Sequence, residues 1–220
     1  MRNVRDLRRL QRAALRRLSR LRVTAEAAVT ATPHTEERET GTTLVVIELY
    51  NCWYSVSRAL YLSSAFRARG GDGKRITLNV TASATVDAAL THAIAKTKPR
   101  TAQLKRPPWS WADEPSWAKT SVLLDTLDAI GASNRPTVVT ALGLPAKVLD
   151  HLPTFRHFFA HRNRDTARRL RPLIGSYAIS PALRATEALS IPAGGPGGRR
   201  PQPLLLDWID EVNSVVEILV

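Results

Sequence analysis

One cysteine in 220 residues rules out an internal disulfide. That residue, Cys52, sits in an apolar run, and a cysteine-built metal site is excluded with it. A lone thiol fits a reducing compartment, so cytoplasmic is the expected location. Acid is also scarce: 19 Asp and Glu stand against 32 Lys and Arg, giving a formal charge of +13. Long apolar runs are missing. The stretch Leu204 to Val220 is interrupted by Asp207, Asp210, Glu211 and Glu217, and Leu44 to Ile47 is far too short to span a bilayer. Arginines punctuate Met1 to Arg22, which leaves no apolar core for a secretory signal. The sequence has no phosphate-cradling glycine loop and no Gly-x-Ser-x-Gly elbow. P-loop nucleotide hydrolysis and serine-nucleophile chemistry are therefore not indicated.

What is present describes a folded chain: 44% of residues are hydrophobic, enough for one good core. The positive surplus favours polyanionic partners, nucleic acid first and an anionic membrane surface second. A basic surface that merely keeps the protein soluble is the plain alternative. Nine arginines against Asp6 and Glu26 place +7 of the charge between Met1 and Ala31.

Apolar periodicity predicts helices along most of the chain. Residues Arg5 to Val29 form one, with Leu7, Leu10, Ala14, Leu18, Leu21 and Ala25 on a single stripe. Thr32 to Gly41 reads as a polar connector, and Thr43 to Arg69 as the longest helix, ended by Gly70-Gly71-Asp72-Gly73. Within that helix Glu48, Asn51, Ser55 and Arg58 share a polar stripe, which either lines a site or forms a Glu48–Arg58 packing network. Ile76 to Val80 is a short strand or merely extended. Thr85 to Lys96, Glu114 to Ile130, Pro153 to about Leu170 and Leu204 to Leu219 are expected to be helical, and Arg135 to Leu142 a shorter helix or a turn. Ala193 to Gln202 reads as a flexible linker. Lys98 to Asp113 mixes Trp109 and Trp111 with prolines, lysine and arginine. Such a loop can stack bases on indoles, but pinning onto the core is the reading preferred here. The expected architecture is all-α, a bundle of about five main helices. A basic N-terminal helix (1–31) packs on or extends from a domain over 43–220.

The segment Phe155 to Asn163 is the richest in chemistry. It carries Arg156, His157 and His161 within six residues. A histidine moves protons near neutral pH, and an arginine fork holds phosphate, which together suffice to cut RNA without a metal. Around a straight helix Arg156 and His161 lie roughly 140° apart. One helix therefore needs a local distortion, or a second subunit, to aim both at one group. Arg164 and Arg168 continue the side of the two histidines and are candidate RNA contacts. His157 and His161, four apart, also match a zinc-ligand spacing. The glutamate of the zinc-protease motif is absent, since Phe158 follows His157, so no metal and no other cofactor is expected.

This chain resembles the HEPN-domain family of helical nucleases, whose late helix carries an arginine, four to six residues, and a histidine. Arg156 and His161 fit that motif, with His157 in the polar position after the arginine. Glu48 to Trp53 on an early helix, His161-Arg162-Asn163, and Asp207-Trp208-Ile209 on a closing helix extend the likeness. The resemblance implies a HEPN-like fold acting as a homodimer. It also implies a metal-independent endoribonuclease of the toxin–antitoxin or phage-defence kind, with RNA as substrate and a cognate antitoxin as partner. Arg156, His161 and His157 would be catalytic, and Glu48, Asn51 and Asn163 supporting. Some relatives carry a modifiable tyrosine two residues after the histidine; here that position is Asn163, which counts against control by that route. A non-catalytic RNA- or protein-binding module of the same fold is the alternative, and a membrane-surface protein the third reading.

Overall fold

The computed structural model describes residues 5–194 and 202–220. Most of the linker read at Ala193 to Gln202 lies outside the described residues. Among the described residues there are ten helices and no strand: α1 (Leu7–Thr30), α2 (Glu36–Ala65), α3 (Val86–Thr97), α4 (Pro99–Leu104), α5 (Thr120–Ala129), α6 (Arg135–Leu142), α7 (Val148–His161), α8 (Arg164–Gly175), α9 (Ala185–Leu189) and α10 (Leu204–Ile218). The fold is all-α. Among the described residues no helix is long and apolar enough to cross a membrane.

The chain forms two compact units. One comprises Met1–Leu15, Trp53–Pro145 and Ser214–Val220; the other comprises Arg16–Cys52 and Ala146–Asn213. In the first, Trp53, Tyr61 and Trp117 are fully buried. Their polar atoms are satisfied inside the core: the Trp53 indole N–H donates to Ala118 O at 3.1 Å and Tyr61 Oη to Ala89 O at 2.7 Å. Helix α3 packs against α4 and α5, and α5 against α6. Ile76 to Val80 forms no strand: 76–78 are irregular and the chain bends at 79–80. Its backbone pairs with the turn after α5, through Asn79 N to Ile130 O and Ser133 N to Thr77 O.

In the second unit Phe155 meets Trp208 edge to face, ring centroids 4.6 Å apart. Leu49, Leu204, Leu205, Ile209 and Val212 are buried in the same unit. Gly41 permits a close helix crossing, since a Cβ there would stand 2.9 Å from Ala28 Cβ. Any larger residue would push α1 and α2 apart. Burial pushes the Cys52 thiol up to about 11, which keeps it protonated and unreactive.

Several helix boundaries differ from the sequence expectation, each for a local reason. Helix α2 starts at Glu36, inside the expected connector, with Glu36, Glu37 and Glu39 in its first turn, where acids complement the helix dipole. The helix expected from Glu114 begins only at Thr120, because Glu114 turns its carboxylate to Arg58 and the Trp117 indole. The segment 98–113 is not all loop: Pro99 opens the short helix α4.

The helix expected to run from Pro153 to Leu170 is two helices. Helix α7 starts earlier, at Val148, and holds Pro153 in its interior; α8 continues through Pro172 to Gly175. Between them Arg162 adopts left-handed backbone angles (φ 40°, ψ 47°). Asn163 then caps α8: its side chain accepts from Thr166 N at 2.9 Å, and Thr166 Oγ1 accepts from Asn163 N at 3.1 Å. This reciprocal box satisfies two otherwise orphaned N–H groups. Asn163→Ala is expected to cost about 1 kcal/mol, read as a lower urea midpoint with an unchanged slope.

Candidate active site

Every residue of the central segment lies in the second unit, on or beside α7. Phe155 and Phe159 turn into the core. Of the residues between them His157 is exposed, while Arg156 and Phe158 are half-buried. His157 and His161 are exposed, one turn apart, with ring centroids separated by 4.6 Å. Among the described residues neither imidazole has a hydrogen-bond partner or a carboxylate against it. Arg156 is half-buried, its guanidinium carbon 5.5 Å from the centre of the Tyr50 ring on α2. Cation–π attraction of this kind positions a charge without neutralising it. The Arg156 Nε is buried and has no hydrogen-bond acceptor. Among the described residues no acid pairs with that guanidinium.

The third histidine of this helix is built differently. His151 Nδ1 lies 2.8 Å from Tyr177 Oη, which accepts the Trp208 indole N–H at 3.1 Å. Burial pushes the His151 imidazole below its usual pKa. It is a half-buried packing residue, whereas His157 and His161 are exposed. Among the described residues no three His, Cys, Asp or Glu side chains gather into a group that could hold a metal ion.

Helix α7 ends at His161 because Arg162 is clamped. Its guanidinium donates to Glu39 Oε2 at 3.0 Å and to Thr43 Oγ1 at 2.7 Å, both on α2. Arg184 approaches the other oxygen of Glu39 at 3.6 Å. One carboxylate thus ties down the α7–α8 junction, and with it the position of His161. Compared with known proteins, the chain matches no family model, no curated protein and no solved structure. The chemistry of these residues has to be weighed by itself.

Glu48 and Asn51 do form a pair, with Asn51 Nδ2 donating to Glu48 Oε1 at 3.2 Å. The other Glu48 oxygen takes Arg17 of α1 at 2.6 Å, and that arginine holds the Glu48 carboxyl below its usual pKa. Glu48 meets Arg17 and Arg58 meets Glu114, so of the two readings of the stripe the Glu48–Arg58 network does not form. Asn163, the helix cap, has its side-chain carbonyl committed to Thr166. The break at Arg162 also separates Arg164 and Arg168 from the histidine side of α7. They are exposed on α8, and with Arg171 they line one concavity. Asp165 offers Arg168 only a loose partner at 3.8 Å, so that surface keeps its positive charge.

Residues that the sequence did not mark are Glu39, Thr43, Tyr50 and Arg184. Glu39 and Arg184 are ordinary charged surface residues in one dimension. Tyr50 carried a signal: it stands between Glu48 and Asn51, in the stretch that bears the family likeness.

Proposed function

We propose that this protein is a metal-independent endoribonuclease of the HEPN type, with Arg156, His157 and His161 as its reacting groups. One observation carries the reading. Three side chains suited to phosphodiester chemistry lie within six residues, solvent-exposed or half-buried, and none has an acid partner among the described residues. Arg162, Arg17 and Arg58, by contrast, each meet a carboxylate.

In the proposed reaction His161 takes the proton from an RNA 2′-hydroxyl. The alkoxide attacks the adjacent phosphorus while Arg156 stabilises the charge gathering on the phosphoryl oxygens. His157 orients the phosphate or gives a proton to the departing 5′-oxygen. The products are a 2′,3′-cyclic phosphate and a 5′-hydroxyl. Helix α7 is regular from Arg156 to His161, so no local distortion brings their directions together. The reading therefore includes a homodimer in which residues of both subunits line one cleft. It extends to a toxin or phage-defence role with a cognate antitoxin protein.

The test is incubation of the purified protein with end-labelled RNA in EDTA, followed by mapping of the product ends. Cyclic phosphate ends without added metal are the expected result. Arg156→Lys is expected to lower cleavage by at least about tenfold, because an ammonium lacks the planar fork that spans two oxygens. Parent-level cleavage by that variant would remove Arg156 from the site. The alternative is a non-catalytic RNA-binding module of the same fold. The Arg164–Arg168–Arg171 concavity favours it, since that surface could hold a phosphate backbone with no chemistry at all. Salt-sensitive RNA binding with no cleavage would select it.

A further inference from the structure

The first unit carries an aromatic anomaly that the proposed chemistry does not use. Trp109 is pinned, as the sequence suggested for this loop: its indole N–H donates to Thr91 Oγ1 at 3.0 Å and its backbone N–H to Asp87 Oδ1 at 3.2 Å. Trp111 is not. It is 72% exposed, whereas Trp53, Trp117 and Trp208 are fully buried. Its ring leans against Tyr54, centroids 5.9 Å apart, and that contact occupies only part of the indole surface. An indole left in water forfeits burial that would favour folding.

The loop around Trp111 is fixed and basic. Asp113 accepts from Ser110 Oγ and from Lys105 Nζ, each at 2.5 Å, and Lys98 Nζ donates to Ala112 O at 3.1 Å. Between Lys98 and Asp113 four cations (Lys98, Arg100, Lys105, Arg106) face one acid, a net of +3. Asp113 spends its charge on Lys105; Arg100 and Arg106 are exposed, and Arg106 is steadied by donating to Ala102 O and Lys105 O at 3.0 and 3.1 Å, which leaves its charge unneutralised. An open indole carried on a basic loop is the combination that single-stranded nucleic acid uses: a base stacks on the ring while its phosphates meet the cations.

We propose that Trp111, backed by Tyr54 and carried on the loop that also bears Arg100 and Arg106, is a base-stacking subsite for single-stranded RNA. It rests on RNA as the partner in the preceding section, but not on cleavage. The site takes an unpaired base of any identity, because every base has a stacking face. Duplex RNA, whose bases are already stacked, gains nothing from the indole.

The test is fluorescence anisotropy of short unstructured RNA and of a duplex, with the full chain carrying His161→Ala so that no substrate is cut. Adding Trp111→Ala is expected to weaken single-strand binding about 5- to 150-fold, the range for losing one stacked base. Trp111→Phe is expected to recover most of it. Duplex binding should not change, and neither should the slope of affinity against salt, since no cation has been removed. Quenching of the exposed tryptophan emission on binding should vanish in Trp111→Ala. Equal single-strand affinity with and without the indole overturns the subsite, whether or not the protein cleaves RNA. Loss of self-association without loss of RNA affinity would assign Trp111 to a protein interface, and overturns it too.

Discussion

His161→Ala is expected to slow RNA cleavage by about 10²- to 10⁴-fold at neutral pH, the loss typical of removing a positioned acid–base group. Its effect on folding should be small. The imidazole is exposed, and its recorded ring contact is with His157. Thermal stability and RNA affinity should therefore match the parent, so the loss would appear in the chemical step. Single-turnover cleavage in EDTA, with RNA saturated by protein, isolates that step. An unchanged rate would remove His161 from the reaction. A rate lost together with RNA affinity would point to a binding role instead. His157→Ala offers an internal comparison. If His157 only orients the phosphate, its removal should cost less than removal of the base.

The Glu39 clamp bears on the same experiment. His161 is the last residue of α7, and the chain turns left-handed immediately after it. Non-glycine residues resist that conformation. Here Arg162 is compensated by two hydrogen bonds to α2 and by lying over the Phe159 ring, 5.9 Å from its centre. The histidine is thus mounted at a helix end held by a long-range ion pair. A flexible loop would leave the imidazole poorly aimed.

Much of the helical fold was legible because it is local. The α1 stripe from Leu7 to Ala25 repeats at helical spacing and is buried throughout. The same holds for α10, where Leu205, Trp208, Ile209 and Val212 face inward, and for α6, whose bounds Arg135 and Leu142 follow from proline and glycine. The break at Arg162 was also written in the chain, as Asn163 followed three residues later by Thr166. Apolar periodicity running through Phe155, Phe159 and Leu170 masked it. Both helices bury one face, so the period survives the break.

The candidate site was legible in its parts and not in its pairing. Arg156, His157 and His161 stand where helical geometry placed them, with Arg156 turned away from the two histidines. Their surroundings were not readable, because Glu39 to Arg162 and Tyr50 to Arg156 join residues more than a hundred positions apart. Charge alone cannot select such partners. Arg17, Arg58 and Arg162 look alike in sequence, and only packing decides which carboxylate each one meets. Cations outnumber acids 32 to 19, so packing also decides which arginines meet a carboxylate.

Glu114→Ala is expected to be the costliest charge removal in the first unit, at about 3 kcal/mol. The Glu114 side chain is 6% exposed and accepts a two-pronged bond from Arg58, Nε and Nη2 each at 2.6 Å. It also accepts the Trp117 indole N–H at 2.9 Å. Its carboxylate raises the pKa of the Arg58 guanidinium. Truncation strands one charge and one buried N–H together. The figure sits at the low end for a broken buried pair because Arg58 remains 26% exposed and keeps some hydration. Thermal unfolding should fall by about 6–12 °C for a chain of this size. Glu48→Ala supplies the contrast. Its partner Arg17 and Glu48 itself are 31% and 37% exposed, so the loss should stay within about 1 kcal/mol. Removing both charges, Arg58→Met with Glu114→Leu, should cost less than Glu114→Ala alone, since no unpaired cation is left in the interior. Equal losses for Glu114→Ala and Glu48→Ala would mean that solvent reaches the Arg58 fork in solution, and that packing around Trp117 carries this region instead.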